Sequence, residues 1–136
     1  MQKLLDTLPH LKKANSKLSN TSIINLQQQL KHQNFATLPL EFTKFLHIYN
    51  GLNYNDGVIC GIYEENNYQD ISSLNKSISH PLHKDLIFLG YNSFDYLAYN
   101  QKHQIYQIID KYDLEVLEEY SDLSNAMQHI LKIDYE

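Results

Sequence analysis

His80-Pro81-Leu82-His83 places two imidazoles at an H-x-x-H spacing, the arrangement in this 136-residue chain closest to metal chemistry. Such a site needs two further ligands, and Pro81 opposes the helix that would bring both rings to one face. No H-E-x-x-H, C-x-x-C or EF-hand pattern accompanies it. The single cysteine, Cys60, stands in an apolar stretch. A nucleophilic thiol needs a base and an electropositive setting, so Cys60 reads as a buried structural thiol. Glu64-Glu65 and Glu118-Glu119 offer paired carboxylates. Adjacent residues of a strand point to opposite faces, which makes each doublet a poor acid–base pair. No G-x-G-x-x-G, P-loop or G-x-S-x-G is present, and four glycines leave little material for a phosphate cradle. The expectation is a protein that is not an enzyme and takes no metal or organic cofactor.

Charge narrows the partners. All eleven basic residues are lysine, set against sixteen acids, for a net charge of -5. A nucleic-acid binder without arginine on an acidic chain would be unusual. Residues 1–50 carry six lysines against Asp6 and Glu41, whereas residues 51–136 carry five against fourteen acids. The later part of the chain therefore has the means to present an anionic face. One cysteine excludes an internal disulfide framework, no apolar run approaches a membrane span, and Pro9 interrupts the leading segment. The expectation is a cytoplasmic chain with no nucleic-acid or membrane partner.

The elements that must position these residues follow from periodicity. Leu4, Leu5, Leu8 and Leu11 form a helical stripe within residues 2–13. A second helix is expected over 21–32, capped by Thr21 or Ser22, with Ile23, Ile24, Leu26 and Leu30 apolar and a glutamine-rich surface at Gln27–Gln29. The clearest helix runs from Leu38 to Asn50, capped by Thr37, with Pro39 in its first turn and Glu41 against its dipole. Leu38, Phe42, Phe45, Leu46 and Tyr49 make its apolar face, and Asn50-Gly51 supplies the stop. Strands are expected over 57–63 and 85–90, and a hairpin over 93–99 and 104–110. A further strand over 114–119 would point Leu114, Val116 and Leu117 inward. A short helix around Ile71, Leu74 and Ile78 and a closing helix capped by Ser121 complete the chain. The fold class is α+β: a single domain over 1–136 with N-terminal helices, a mainly antiparallel sheet of about four to six strands and a C-terminal helix.

Leu38-Pro39-x-x-Phe42-x-x-Phe45-Leu46-x-x-Tyr49-Asn50-Gly51 resembles the hallmark of the SUKH superfamily, an LP-to-NG helix ahead of the first strands. The resemblance covers roughly residues 20–133 and includes a closing helix begun at Ser121-Asp122-Leu123. Within it the chain resembles the YrhA-like branch. The chain departs from the family in having Tyr91 after Gly90, where a Gly-Asp pair is frequent, and in having no tryptophan. What the resemblance implies is binding. Many bacterial members are immunity proteins that neutralise polymorphic secreted toxins, often nucleases or deaminases, inside the cell, and others are intracellular regulatory scaffolds.

The expected function is accordingly a non-catalytic protein-binding domain, an immunity protein whose partner is a cationic toxin. The alternatives are a regulatory module with a non-toxin partner and a small hydrolase using Cys60 or a carboxylate. Eleven tyrosines supply large amphipathic rings suited to interfaces. Acids in turns and at strand ends stay accessible, which nominates Asp56, Glu64, Glu65, Asp70 and Asp95, with Tyr63, Tyr68 and Tyr96 as anchoring aromatics. The acidic run over 110–122 is the alternative location.

Overall fold

The computed structural model describes residues 12–13, 18–64, 66–78 and 84–133. Among the described residues four helices, α1 (Asn20–His32), α2 (Leu40–Leu46), α3 (Ile71–Ser77) and α4 (Leu123–Ile130), accompany seven strands. These are β1 (Lys12–Lys13), β2 (Leu52–Tyr54), β3 (Gly57–Ile59), β4 (Leu86–Tyr91), β5 (Asp95–Asn100), β6 (Ile105–Asp110) and β7 (Val116–Tyr120). The strands lie side by side in chain order, each antiparallel to the next. The α+β class and the C-terminal helix agree with the sequence reading, with two-residue β1 added to the edge of six longer strands.

Several boundaries differ, each for a local reason. The leucine stripe over 2–11 lies outside the described residues, and Lys12–Lys13 pair with Asn53 and Leu52 as a strand. Ser19 caps α1, its Oγ accepting from the N–H of Ser22 at 3.2 Å, so neither Thr21 nor Ser22 is the cap. Gln27 is not simply surface: its amide accepts from the N–H of Leu38 at 2.8 Å and donates to the Leu38 carbonyl at 3.2 Å. The motif helix is shorter than Leu38–Asn50, because Pro39 itself occupies the cap position and regular helix ends at Leu46. Thr37 does not cap it; its N–H bonds Gln101. Leu38 and Tyr49 flank the helix, yet both are buried with Phe42, Phe45 and Leu46, so the apolar stripe is core as expected. Gly51 adopts φ +74 beside the Ile59 carbonyl, a conformation and a closeness that a side chain would not tolerate.

The strand expected over 57–63 is the shorter β3, which forms a hairpin with β2 turning at Asn55-Asp56, with Asn55 at φ 54. The closing helix is capped by Asp122, whose Oδ1 accepts from Asn125 N–H at 2.8 Å, and not by Ser121. The largest departure is β7. A register shift against Ile108 and Ile109 leaves Leu117 as an extra residue, and Val116 and Leu117 are each 49% exposed. Only Leu114 of the three residues expected to face inward packs against the core.

Helices cover both faces of the sheet. Leu74 and Ser77 of α3 lie beside Tyr96, and His129 of α4 packs on Tyr120, which shares a face with its paired neighbours Tyr106 and Tyr99, opposite to that of Tyr96 by alternation. This accounts for the continuous apolar run of β4, buried from Leu86 to Gly90. Amide side chains complete the backbone bonding. Fully buried Asn75 donates to the carbonyls of Ile71 (2.8 Å) and Phe88 (2.9 Å) and accepts from the N–H of Phe88 (2.8 Å). Asn50 pairs in the same way with Ile62. Glu41 joins α2 to α4, accepting from the Tyr106 hydroxyl at 3.0 Å and from the N–H of Leu123 at 2.9 Å. Among the described residues no helix is long and apolar enough to cross a membrane.

Candidate protein-binding surface

In an antiparallel meander alternate turns emerge at the same end. The β2–β3 turn (Asn55, Asp56), the β4–β5 turn (Asn92–Phe94) and the β6–β7 turn (Lys111–Glu115) therefore form one rim. Hydrogen bonds join them. Asp56 Oδ2 accepts from the N–H of Ser93 at 3.3 Å, and the N–H of Lys111 donates to the carbonyl of Phe94 at 2.9 Å. The C-terminus of α4 anchors two of the three turns: Asn55 donates to the Leu131 carbonyl at 2.8 Å and Asn92 to the Ile130 carbonyl at 3.1 Å. The asparagines thus satisfy carbonyls that a helix end leaves open.

The β4–β5 and β6–β7 turns are also braced from within. Asn92 Oδ1 accepts from the N–H groups of Phe94 and Asp95. Asp110 Oδ1 accepts from those of Tyr112 and Asp113, and Asp113 Oδ1 from that of Glu115. Bracing the backbone directs two aromatic side chains outward: Phe94 is 69% exposed and Tyr112 is 97% exposed. Rigid turns that display aromatics lose little entropy on binding.

The rim is acidic. Asp56, Asp95, Asp110, Asp113 and Glu115 outnumber Lys111 and Lys132. Lys132 bridges Asp56 at 3.1 Å and stands 5.6 Å from the Phe94 ring centre. Hydrogen bonding from Ser93, and then the Lys132 ammonium, holds the Asp56 carboxyl at about 2. Lys111 lies over the rings of Tyr91 (4.9 Å) and Tyr96 (5.4 Å). Desolvation there lowers its pKa, against the opposing pull of Asp56 and Asp95.

The nominated residues divide. Asp56 is on the rim and exposed, while Asp95 and Tyr96 begin β5 beside it, partly buried. Tyr68, 62% exposed, joins Tyr91, Tyr96 and Lys111 around a depression of about 210 Å³. Glu64 is exposed, and Glu65 lies outside the described residues. Asp70 departs from the accessible carboxylate expected: it is 6% exposed and caps α3. Its Oδ1 accepts from Tyr63 N–H at 2.9 Å and its Oδ2 from Ser73 N–H at 2.9 Å. Tyr63 is also tied down, its hydroxyl donating to the Asn50 carbonyl at 2.6 Å. Both line a polar groove of about 410 Å³ between α1 and α3, as part of its frame.

The sequence does not single out Phe94, and reaches Tyr112, Asp113 and Glu115 only through the acidic run over 110–122, the alternative location. A signal exists in Asn92-Ser93-Phe94-Asp95 and Lys111-Tyr112-Asp113, where an aromatic sits among turn-forming residues with no apolar neighbour to pack on.

The catalytic candidates have settings that oppose reactivity. Cys60 is buried, its thiol meets the Tyr68 carbonyl at 3.6 Å, and burial followed by the Asp70 charge pushes its pKa up. Glu119 accepts from the Gln107 amide at 2.8 Å, whereas Glu118 pairs across the ladder with Ile108. His80 and His83 lie outside the described residues, and among those described no group of three or more His, Cys, Asp and Glu could hold a metal ion. Compared with known families and with curated proteins, the chain matches no family model and no curated protein.

Proposed function

We propose that the chain is a non-catalytic protein-binding domain of SUKH type, an immunity protein that binds a cationic secreted toxin inside the cell. The observation that carries this reading is the hairpin rim, where the outward aromatics Phe94 and Tyr112 stand among an excess of carboxylates on braced turns. A nuclease-type toxin must present a cationic surface to its polyanionic substrate. An acidic rim gains association rate by steering toward that surface and then covers it. The order of the motif helix, an antiparallel sheet and a closing helix supports the family resemblance. A hydrolase built on Cys60 gains no support from a thiol that is buried beside a carboxylate.

The test is co-expression with the product of the neighbouring gene. Protection of the cells, and a stoichiometric complex whose association slows with added salt, is the expected result. Failure to protect or to form a complex refutes the toxin reading. A complex with a non-toxic neighbour would transfer the same surface to a regulatory role.

A further inference from the structure

Strand β7 ends the sheet. It pairs with β6 on one side, and no strand among the described residues lies along the other. An uncovered edge is a template for another strand, and proteins ordinarily guard it with charge or a bulge. Here both guards are present, and both have a direction. From Tyr112 to Leu131 the chain carries five acids and no lysine or arginine. Pairing β7 with β7 of a second copy would set Glu115, Glu118 and Glu119 against the same carboxylates, which disfavours self-association. A strand bearing lysine or arginine meets the opposite situation. The shift at Leu117, meanwhile, leaves Val116 and Leu117 each half out of the core as apolar purchase beside the charges.

We propose that the β7 edge is a β-addition site for an extended, lysine- or arginine-bearing segment of the partner protein. Main-chain ladder bonds would supply affinity, and the carboxylates would choose the sign of the incoming strand. Tyr112 and the rim adjoin the start of β7, so the added strand would continue the rim contact around the edge of the sheet. The inference rests on the proposed binding of a cationic protein, but its test needs no toxin.

The probe is a synthetic peptide alternating lysine with valine and threonine, titrated into the intact nitrogen-15-labelled chain. A control peptide is N-methylated at alternate amides, which keeps the charge and removes the ladder. The expected result is that amides of residues 116–120 shift and exchange more slowly, and that the methylated peptide binds about tenfold more weakly. Glu115→Lys combined with Glu118→Lys, both exposed, should weaken the first peptide by about tenfold or more while the spectrum reports an intact fold. Equal binding of the two peptides, shifts confined to other elements, no binding, or association of the free chain through β7 would each overturn the proposal. A chain that takes the peptide on β7 but protects no cell refutes the immunity reading alone. A chain that protects but leaves β7 unaltered with the peptide refutes strand addition alone.

Discussion

The N–H of Lys111 donates to the carbonyl of Phe94 at 2.9 Å, which fixes the β6–β7 turn to the β4–β5 turn. Residues far apart in the chain thereby become one surface, with Phe94 and Tyr112 outward and Asp95 opposite Asp110 at the start of the β5–β6 ladder. Neither turn alone offers more than a single ring and a few charges.

Phe45 is buried, with its ring centre 5.5 Å from that of Phe42 and 5.9 Å from that of Tyr49. Phe45→Ala should cost about 3–5 kcal/mol and lower the Tm by roughly ten degrees or more in thermal unfolding. A Tm within about two degrees of the parent would remove Phe45 from the core.

Asn75 should matter as much as a large apolar residue. Asn75→Ala removes the amide that bonds both the N–H and the C=O of Phe88. The expected loss is about 2–4 kcal/mol in denaturant unfolding, with faster exchange of the Phe88 amide. A loss below about 0.5 kcal/mol would show that water takes over the bonds.

These two residues mark how far the sequence could be read. Phe45 was legible because apolar spacing reports directly on burial. The helices, the β5–β6 hairpin and the α+β class followed from the same signal. Asn75 was not, because its value lies in the partner that folding brings to it, a strand backbone thirteen residues away. Asp70 was misread for the related reason that a turn carboxylate can cap a helix from a buried position. Val116 and Leu117 look like core residues by type, but a register shift at a sheet edge is invisible to periodicity. The rim was half legible: Asp56 and Asp95 were nominated by their place in turns, while its aromatic centre depends on which turns the meander places together.

Cys60 should be inert. Burial and the Asp70 charge raise the thiol pKa, so the folded chain should resist iodoacetamide at neutral pH and react once unfolded. Cys60→Ala should leave partner binding unaltered. Rapid alkylation of the native chain, followed by mass spectrometry, would contradict this setting.

Asp56 gives the rim an acid-side signature. Its carboxyl is held at about 2, below its ordinary 3.8, so the ionised form is favoured by folding. The stabilisation is fully present above the ordinary value and is lost as pH falls toward about 2. The effect is small because the pair with Lys132 is exposed. Carbon-13 titration should find Asp56 among the last carboxylates to protonate, and Asp56→Asn should flatten stability in that window. Titration of Asp56 at 3.8 would deny the contacts with Ser93 and Lys132.

The rim is the central claim, and its most direct measurement is the affinity of Phe94→Ala combined with Tyr112→Ala for the neighbouring gene's product, by calorimetry. Tyr68→Ala, a tyrosine nominated by the sequence but lying off the rim beside α3, tests the competing site. Both variants should keep the parent stability to within about 0.5 kcal/mol. The rim pair should lose about 2 kcal/mol or more of binding while Tyr68→Ala loses little. Unchanged binding by the rim pair, with the loss falling on Tyr68→Ala instead, would contradict it and move the interface to the α3 side.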